Sequence, residues 1–269
     1  MKKKIEHCPI CRSKKKKITF SYTKKPSCET DFNIFKKKYS RIYFECLECT
    51  HWYSNVTFNF DKFYSKEYNN KTYKNSLLKT FNKIKKLKKK NSDNYQRVQR
   101  IKKFIKANLK EKPKLLDIGS GLGIFPYEIK KLGWSCKAND PSLITINHLK
   151  KNLKLKTIYG DFLKLRKIEK FNVITLNKVL EHVKSPIKFL NKAKKFLKTD
   201  GYIYLEVPDI DKAKKISKNR EEFTIEHIHG FTKNSILTLL KKCNLKALMF
   251  KKIYEPSTKY TSYVFCKKN

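Results

Sequence analysis

Leu115-Leu116-Asp117-Ile118-Gly119-Ser120-Gly121-Leu122-Gly123 is an apolar strand running straight into a turn with three glycines. Glycine lets the backbone turn sharply and lie against a ligand where any Cβ would clash, so the segment predicts a loop that cradles a nucleotide-type cofactor. The Gly-x-Gly-x-Gly spacing also occurs in dehydrogenases and in plain turns, and its meaning comes from its surroundings.

A second short strand, Ser135-Cys136-Lys137-Ala138-Asn139, ends in Asp140 and is closed by Pro141. An acid at that tip is placed to accept hydrogen bonds from two ribose hydroxyls. Next come Lys156-Thr157-Ile158-Tyr159 with Gly160-Asp161, then the strand Phe171-Asn172-Val173-Ile174-Thr175-Leu176 leading into Asn177-Lys178-Val179-Leu180-Glu181-His182-Val183. Strand and helix patterns alternate, which predicts a doubly wound α/β sheet. Ser185-Pro186 starts a helix with the apolar face Ile187, Leu190, Ala193 and Leu197, and Asp200-Gly201 ends it before the fifth strand. Ile236, Leu239, Leu240 and Cys243 mark the last helix, and two extended runs follow, Leu245 to Tyr254 and Tyr260 to Cys266.

Taken in order over residues 114 to 208, the blocks LLDIGSGLG, ND, GDF, FNVITLNKVLEHV and TDGYIYLEVPD resemble a class I S-adenosylmethionine-dependent methyltransferase. The resemblance implies a Rossmann-like, seven-stranded methyltransferase sheet whose last strand is antiparallel. It further implies that Asp117, Gly119, Gly121 and Gly123 cradle the methionine part of the cofactor, that Asp140 holds the ribose, that Asp161 sits by the adenine amine, and that Asn177 lines the cleft.

A chain of 269 residues accommodates one domain of ordinary size plus an appendage. The net charge of +42 raises nucleic acid or an anionic membrane as a partner. Of 65 basic residues, however, six are arginines and the other 59 are lysines spread over the whole length. Nucleic-acid surfaces concentrate arginine, which makes bidentate contacts with phosphate and guanine, so the charge reads first as solvated faces. The basic Met1-Lys2-Lys3-Lys4 is followed by no apolar stretch and does not read as a secretory signal. No run of about 18 apolar residues occurs, which excludes a helical membrane span and points to a cytosolic protein.

In a reducing compartment the eight cysteines are not expected to form disulfides. Four are paired as Cys8-Pro9-Ile10-Cys11 and Cys46-Leu47-Glu48-Cys49, with 34 residues between the pairs. Two C-x-x-C knuckles turn four thiolates toward one point, the arrangement of a closed, structural zinc site. Cys28, Cys136, Cys243 and Cys266 stand alone and read as small buried apolar residues. Residues 17 to 60 alternate aromatic or β-branched with polar residues, as in Ile42-Tyr43-Phe44-Glu45 and Val56-Thr57-Phe58-Asn59-Phe60, which suits ribbon strands. In residues 61 to 110, Leu77, Leu78, Phe81, Ile84 and Leu87 recur at helical spacing, as do Val98, Ile101, Ile105 and Leu109. Between them Lys83 to Lys90 and Asn91-Ser92-Asp93-Asn94 read as an exposed connection. The expected organisation is a zinc ribbon (1–60), a helical lid carrying Tyr64 and Tyr68 (61–110), and an S-adenosylmethionine-binding methyltransferase domain (111–269).

Methyl transfer from a sulfonium asks for alignment, exclusion of water and a nucleophile in reactive form. Glu226-His227-Ile228-His229-Gly230 lies after the fifth strand and before the last helix, on the acceptor side of such a pocket. Histidine suits a base whose proton must move near neutral pH, with Glu226 orienting His227. This segment, taken with the double knuckle, is similar to the zinc-ribbon methyltransferases that include sugar C-methyltransferases, although their extra C-terminal domain has no counterpart here. Glu181-His182 offers two metal donors for which the sequence shows no third. The expected function is methyl transfer to a small molecule such as a nucleotide-linked or surface-polysaccharide sugar. An RNA base or ribose methyltransferase is the second reading and a non-catalytic zinc-ribbon adaptor the third.

Overall fold

The computed structural model describes residues 6–30, 39–55 and 76–269. Tyr64, Tyr68 and the run Val56 to Phe60 lie outside the described residues. Two sheets organise the chain. The large one is built from β4 (Lys114–Ile118), β5 (Ser135–Asp140), β6 (Lys156–Tyr159), β7 (Phe171–Asn177), β8 (Leu197–Pro208), β10 (Leu245–Tyr254) and β11 (Tyr260–Lys268), in the order β10-β11-β8-β7-β4-β5-β6. Neighbours pair in parallel from β8 through β7, β4 and β5 to β6, and β11 inserts antiparallel to both β8 and β10. This is the seven-stranded methyltransferase sheet with its reversed last strand.

Buried on both faces, the central strands read as almost continuous apolar runs, and alternate residues meet different helices. Leu115 and Val173 pack with Val98, Ile101 and Ile105 of helix α2 (Asp93–Asn108) and with Phe125 and Ile129 of α3 (Ile124–Lys131). Leu116, Ile174 and Leu205 pack on the opposite face with Leu190 and Ala193 of α5 (Pro186–Phe196) and with Ile236 and Leu239 of α7 (Lys233–Lys242). Helix α4 (Leu143–Lys151) joins α1 (Leu77–Lys85) and α3 in a third cluster around Ala138.

Ser185 caps α5 and Pro186 opens it, as the sequence predicts, but the helix stops at Phe196. Leu197 leaves the expected helical face because it pairs with Phe171, so β8 begins there and absorbs Asp200-Gly201 in an irregularity of its register. On α1 only Leu77 and Phe81 are buried, whereas Leu78 and Leu87 face solvent.

The small sheet contains β1 (Lys16–Tyr22), β2 (Arg41–Cys46) and β3 (Trp52–Ser54), all antiparallel neighbours. Its fourth strand is a two-residue segment, β9 (His229–Gly230), supplied by the chain that follows β8. Gly230 permits this pairing, because a Cβ there would stand 2.9 Å from Ile210 Cγ1 and 3.0 Å from Trp52 Cβ.

Candidate functional site

The glycine turn leaves β4 with positive φ at Gly119 (72°), Gly121 (49°) and Gly123 (74°), a backbone that side chains with a Cβ resist. At Gly123 an added Cβ would also meet Leu149 Cδ2 at 2.2 Å, so that side chain would have to move. The amides of Gly119 and Ser120 both donate to the Asn139 carbonyl, at 2.9 and 3.0 Å, binding the turn to the end of β5. Asn139 in turn donates its side-chain amide to the carbonyls of Ile158 and Gly160, which fixes the β6 tip and Asp161.

Asp140 accepts from the Gly121 amide at 3.0 Å through Oδ2 and from the Ser142 amide at 2.9 Å through Oδ1. Each carboxylate oxygen has a second lone pair for a ligand hydroxyl. Asp117 accepts through Oδ1 from Thr175 Oγ1 at 2.7 Å and Asn177 Nδ2 at 2.8 Å. Burial pushes both carboxyls up to about 6, against the lowering effect of those donors. Asp161 caps a short turn by accepting from the Leu163 amide at 2.9 Å. All seven residues assigned to cofactor binding, Asp117, Gly119, Gly121, Gly123, Asp140, Asp161 and Asn177, line one cavity of about 1180 Å³.

Arg97, on α2, lines the same cavity. Sequence reasoning places α2 but assigns Arg97 no role, because its function depends on a partner 109 positions away. Its guanidinium grips Glu206 through Nε (2.9 Å) and Nη2, and Nη1 donates to Asn94 at 2.9 Å. Two of its five N–H donors remain. Glu206 is held well below the usual carboxylate range by Arg97, Lys178 and Arg100, although full burial opposes this.

The same cavity is also lined by Lys178, Glu181, His182, Glu226, His227 and Lys259. Glu181, His182 and His227 converge, with one ligand atom from each lying within 4.8 Å of the others, and the two rings are 4.6 Å apart. His227 supplies the third donor that the sequence around Glu181-His182 does not show. The backbone of Glu222 lies beside the His227 ring, and Nδ1 is buried without a hydrogen-bond partner. Burial and the neighbouring His182 hold this imidazole neutral, well below its ordinary pKa. His182 donates through Nδ1 to the Glu226 carbonyl at 3.1 Å, and burial lowers it to about 4. Glu181 is 1 % exposed with no hydrogen bond to either carboxylate oxygen, and burial raises it to about 7.

Glu226 is the sequence-assigned partner of His227, but its carboxylate lies beside Thr224 and in the field of Glu29 and Arg41. The carboxylate that converges with the His227 ring belongs to Glu181. Cys28 also departs from expectation: it is exposed, lines the cavity and donates to the Asn219 carbonyl at 2.8 Å. Cys136, Cys243 and Cys266 are buried.

Cys8, Cys11, Cys46 and Cys49 form a second convergence at the root of the small sheet. Sγ–Sγ separations are 3.6 Å for Cys8–Cys49 and 3.4 Å for Cys11–Cys46. Four sulfurs at a Zn–S distance of 2.3 Å in a tetrahedron are about 3.8 Å apart, so the cluster has nearly the size such an ion needs. Backbone amides of Ile10 and Cys11 aim at Cys8 Sγ, those of Glu48 and Cys49 at Cys46 Sγ, and that of His51 at Cys49 Sγ. Donors placed this way stabilise thiolate charge.

A crossover sheet of this order, with a glycine turn, strand-tip carboxylates and a shared cavity, defines a class I S-adenosylmethionine-dependent methyltransferase. The chain belongs to the family described as "Methyltransferase domain", which it matches over residues 88–248. It is 36% identical over 104 residues to a ubiquinone biosynthesis O-methyltransferase of Glaesserella parasuis serovar 5, covering 34% of this chain and 44% of the relative. To the mitochondrial ubiquinone biosynthesis O-methyltransferase of Schizosaccharomyces pombe it is 34% identical over 110 residues, covering 38% and 40%. The matches therefore span less than half the length of these relatives. The magnesium protoporphyrin IX methyltransferase of Synechocystis, solved with S-adenosylhomocysteine, shares the fold at a TM-score of 0.53 and 12% identity, over 65% of this chain and 83% of that one. The glycopeptide N-methyltransferase MtfA with sinefungin does so at 0.53 and 10%, over 64% and 94%. Among the described residues no helix is long and apolar enough to cross a membrane.

Proposed function

We propose that this chain methylates a hydroxyl group of a small molecule, with His227 as the proton acceptor. One observation carries the reading: the glycine-turn half and the Glu181–His182–His227 half share a single cavity. S-adenosylmethionine supplies the sulfonium-bound methyl group that the acceptor oxygen displaces. Asp140 would take the ribose hydroxyls and Asp161 would stand by the adenine. The two remaining Arg97 donors suit the methionine carboxylate, and Asp117 with Asn177 suits its ammonium end. The His227 imidazole would receive the acceptor proton, and Glu181 would stabilise the imidazolium that results.

The two curated relatives are named as O-methyltransferases, which favours a hydroxyl acceptor. The expectation of a sugar finds support in neither name, and dispersed lysines give an RNA acceptor no dedicated surface. The intact glycine turn and buried acids argue against a non-catalytic adaptor. A second mechanistic reading is favoured by the unpartnered carboxylate of Glu181: a divalent cation on Glu181, His182 and His227 would satisfy it and lower the acceptor hydroxyl's pKa. We also propose structural zinc on Cys8, Cys11, Cys46 and Cys49, supported by the sulfur spacing and the aimed amides.

The test is release of S-adenosylhomocysteine across a panel of hydroxylated aromatic compounds and nucleotide-linked sugars. His227→Ala should abolish release while calorimetric affinity for S-adenosylhomocysteine stays within twofold or so of wild type. Unchanged turnover removes His227 from the mechanism. Loss of turnover on chelation, restored by Mg²⁺ or Mn²⁺ with the ribbon metal retained, selects the cation reading over the free base.

A further inference from the structure

His51 and His229 lie between the four-cysteine cluster and the acceptor side of the cavity, both deeply buried. His229 Nε2 bonds the Val183 carbonyl at 2.9 Å, and its Nδ1 faces His51 Nε2 at 3.0 Å. Because a carbonyl only accepts, His229 carries its proton on Nε2, and its Nδ1 is an acceptor. The facing His51 nitrogen must then be the donor. The two rings thus have one self-consistent arrangement in which His51 Nε2–H donates to His229 Nδ1, and His229 Nε2–H donates to Val183.

At the ribbon end, the amide of His51 aims at Cys49 Sγ, and its carbonyl accepts from the Cys46 amide at 2.9 Å. At the catalytic end, the His229 amide donates to the Glu181 carbonyl at 3.1 Å. Around this chain, β3 pairs with β9, Thr50 Oγ1 meets Thr232 Oγ1 at 2.6 Å, and the Ser54 amide donates to the Ile228 carbonyl at 2.9 Å. The second knuckle is therefore stitched to the turn that presents Glu181 and His182 and to the segment that presents His227.

We propose that His51 and His229 are positioning residues that transmit the metal-held geometry of the cysteine knuckle to the Glu181–Val183 turn, so that filling the ribbon with zinc orders the acceptor side of the site while leaving the cofactor side unchanged. The proposal rests on the reading of Glu181, His182 and His227 as the acceptor-side groups. The cofactor half lies outside the linkage because the bonds that hold it, Gly121 and Ser142 to Asp140, Thr175 and Asn177 to Asp117, and Asn139 to the β6 tip, involve neither His51 nor His229.

The test uses the full zinc-loaded chain and needs no acceptor. Long-range ¹H–¹⁵N spectra should find both rings as Nε2–H tautomers; an Nδ1–H form of either ring overturns the hydrogen-bond chain. Hydrogen exchange at residues 179–184 should speed up about tenfold on zinc removal, and by a similar factor in His229→Phe. In His229→Gln, whose amide can still donate to Val183, exchange should return to within about threefold of wild type. In His51→Phe the turn should lose its response to zinc; this variant decides the matter if His229→Phe fails to fold. S-adenosylhomocysteine affinity should change by no more than about twofold throughout. Exchange at 179–184 that ignores zinc in the wild-type chain, or a zinc response that survives in His51→Phe, overturns the proposal. Neither result bears on whether His227 accepts a proton, which the methyl-transfer assay decides separately.

Discussion

Asp140→Asn separates cofactor binding from stability. An amide has one acceptor and one donor, whereas Asp140 faces two backbone donors, Gly121 at 3.0 Å and Ser142 at 2.9 Å. Whichever way the amide turns, one N–H meets another N–H, and the buried backbone donor left unsatisfied costs about 1–3 kcal/mol. An opposing gain is of similar size. Burial raises the Asp140 pKa from 3.8 to about 6, so ionising this carboxyl in the folded protein costs about 3 kcal/mol, which the neutral amide avoids. The two nearly cancel, and the unfolding free energy should move by less than about 1 kcal/mol. Cofactor affinity has no such compensation, because a ribose hydroxyl loses a charged acceptor and the Gly121 end of the loop is no longer held. A loss of about 2–3 kcal/mol corresponds to a Kd about 30- to 150-fold weaker. Isothermal calorimetry with S-adenosylhomocysteine, run beside thermal melts, reads both quantities. A Kd within about threefold of wild type with an unchanged melt would refute the placement of the ribose on Asp140.

Protonation should act on the same contacts: Asp117 and Asp140 both titrate at about 6, so S-adenosylhomocysteine should bind about tenfold more weakly per group for each pH unit below 6. The sign for stability is opposite. These raised values mean the native state holds the protons more tightly than the unfolded chain, so their contribution to stability grows as pH falls from about 6 toward 4. Calorimetric affinity that stays flat from pH 7 to 5 contradicts this account. Gly123→Ala places a Cβ 2.2 Å from Leu149 Cδ2 at a φ of 74°, and chemical denaturation should report a loss of about 2–4 kcal/mol; a loss under about 0.5 kcal/mol would mean that the loop is not held as described. Cys8→Ser should lower bound zinc from one per chain to a small fraction by metal analysis, and full retention would remove the four-thiolate site.

The cofactor half was legible in the sequence because its signals are local. The strand, the glycine turn and the acids at strand tips occupy fixed offsets, and period-2 and helical patterns place them on the right elements. The acceptor half was legible only in pieces. Glu181-His182 and His227 were each visible, but their convergence depends on how the segment after β8 folds back across the sheet. Glu226 was paired with His227 because adjacency in sequence was the only geometry available, while the fold turns the two side chains to different surroundings. Arg97 resembled any other basic residue on an amphipathic helix until Glu206 stood beside it. The two residues of β9 are too short for any periodicity, so the edge strand that residues 229–230 add to the small sheet, shared between the two parts of the chain, had no signature to read.

That shared edge bears on how such a chain can be recombined. Trp52 and Tyr53 find their main-chain partners in Gly230 and His229, so removing the first 60 residues would strip one side of β9 and leave its amides and carbonyls open to strand addition by another molecule. The amino-terminal module is consequently a poor unit of exchange between related enzymes: a graft would have to carry residues 229–230 with it, and the small glycine at 230 with them, or the transplanted sheet would arrive one strand short.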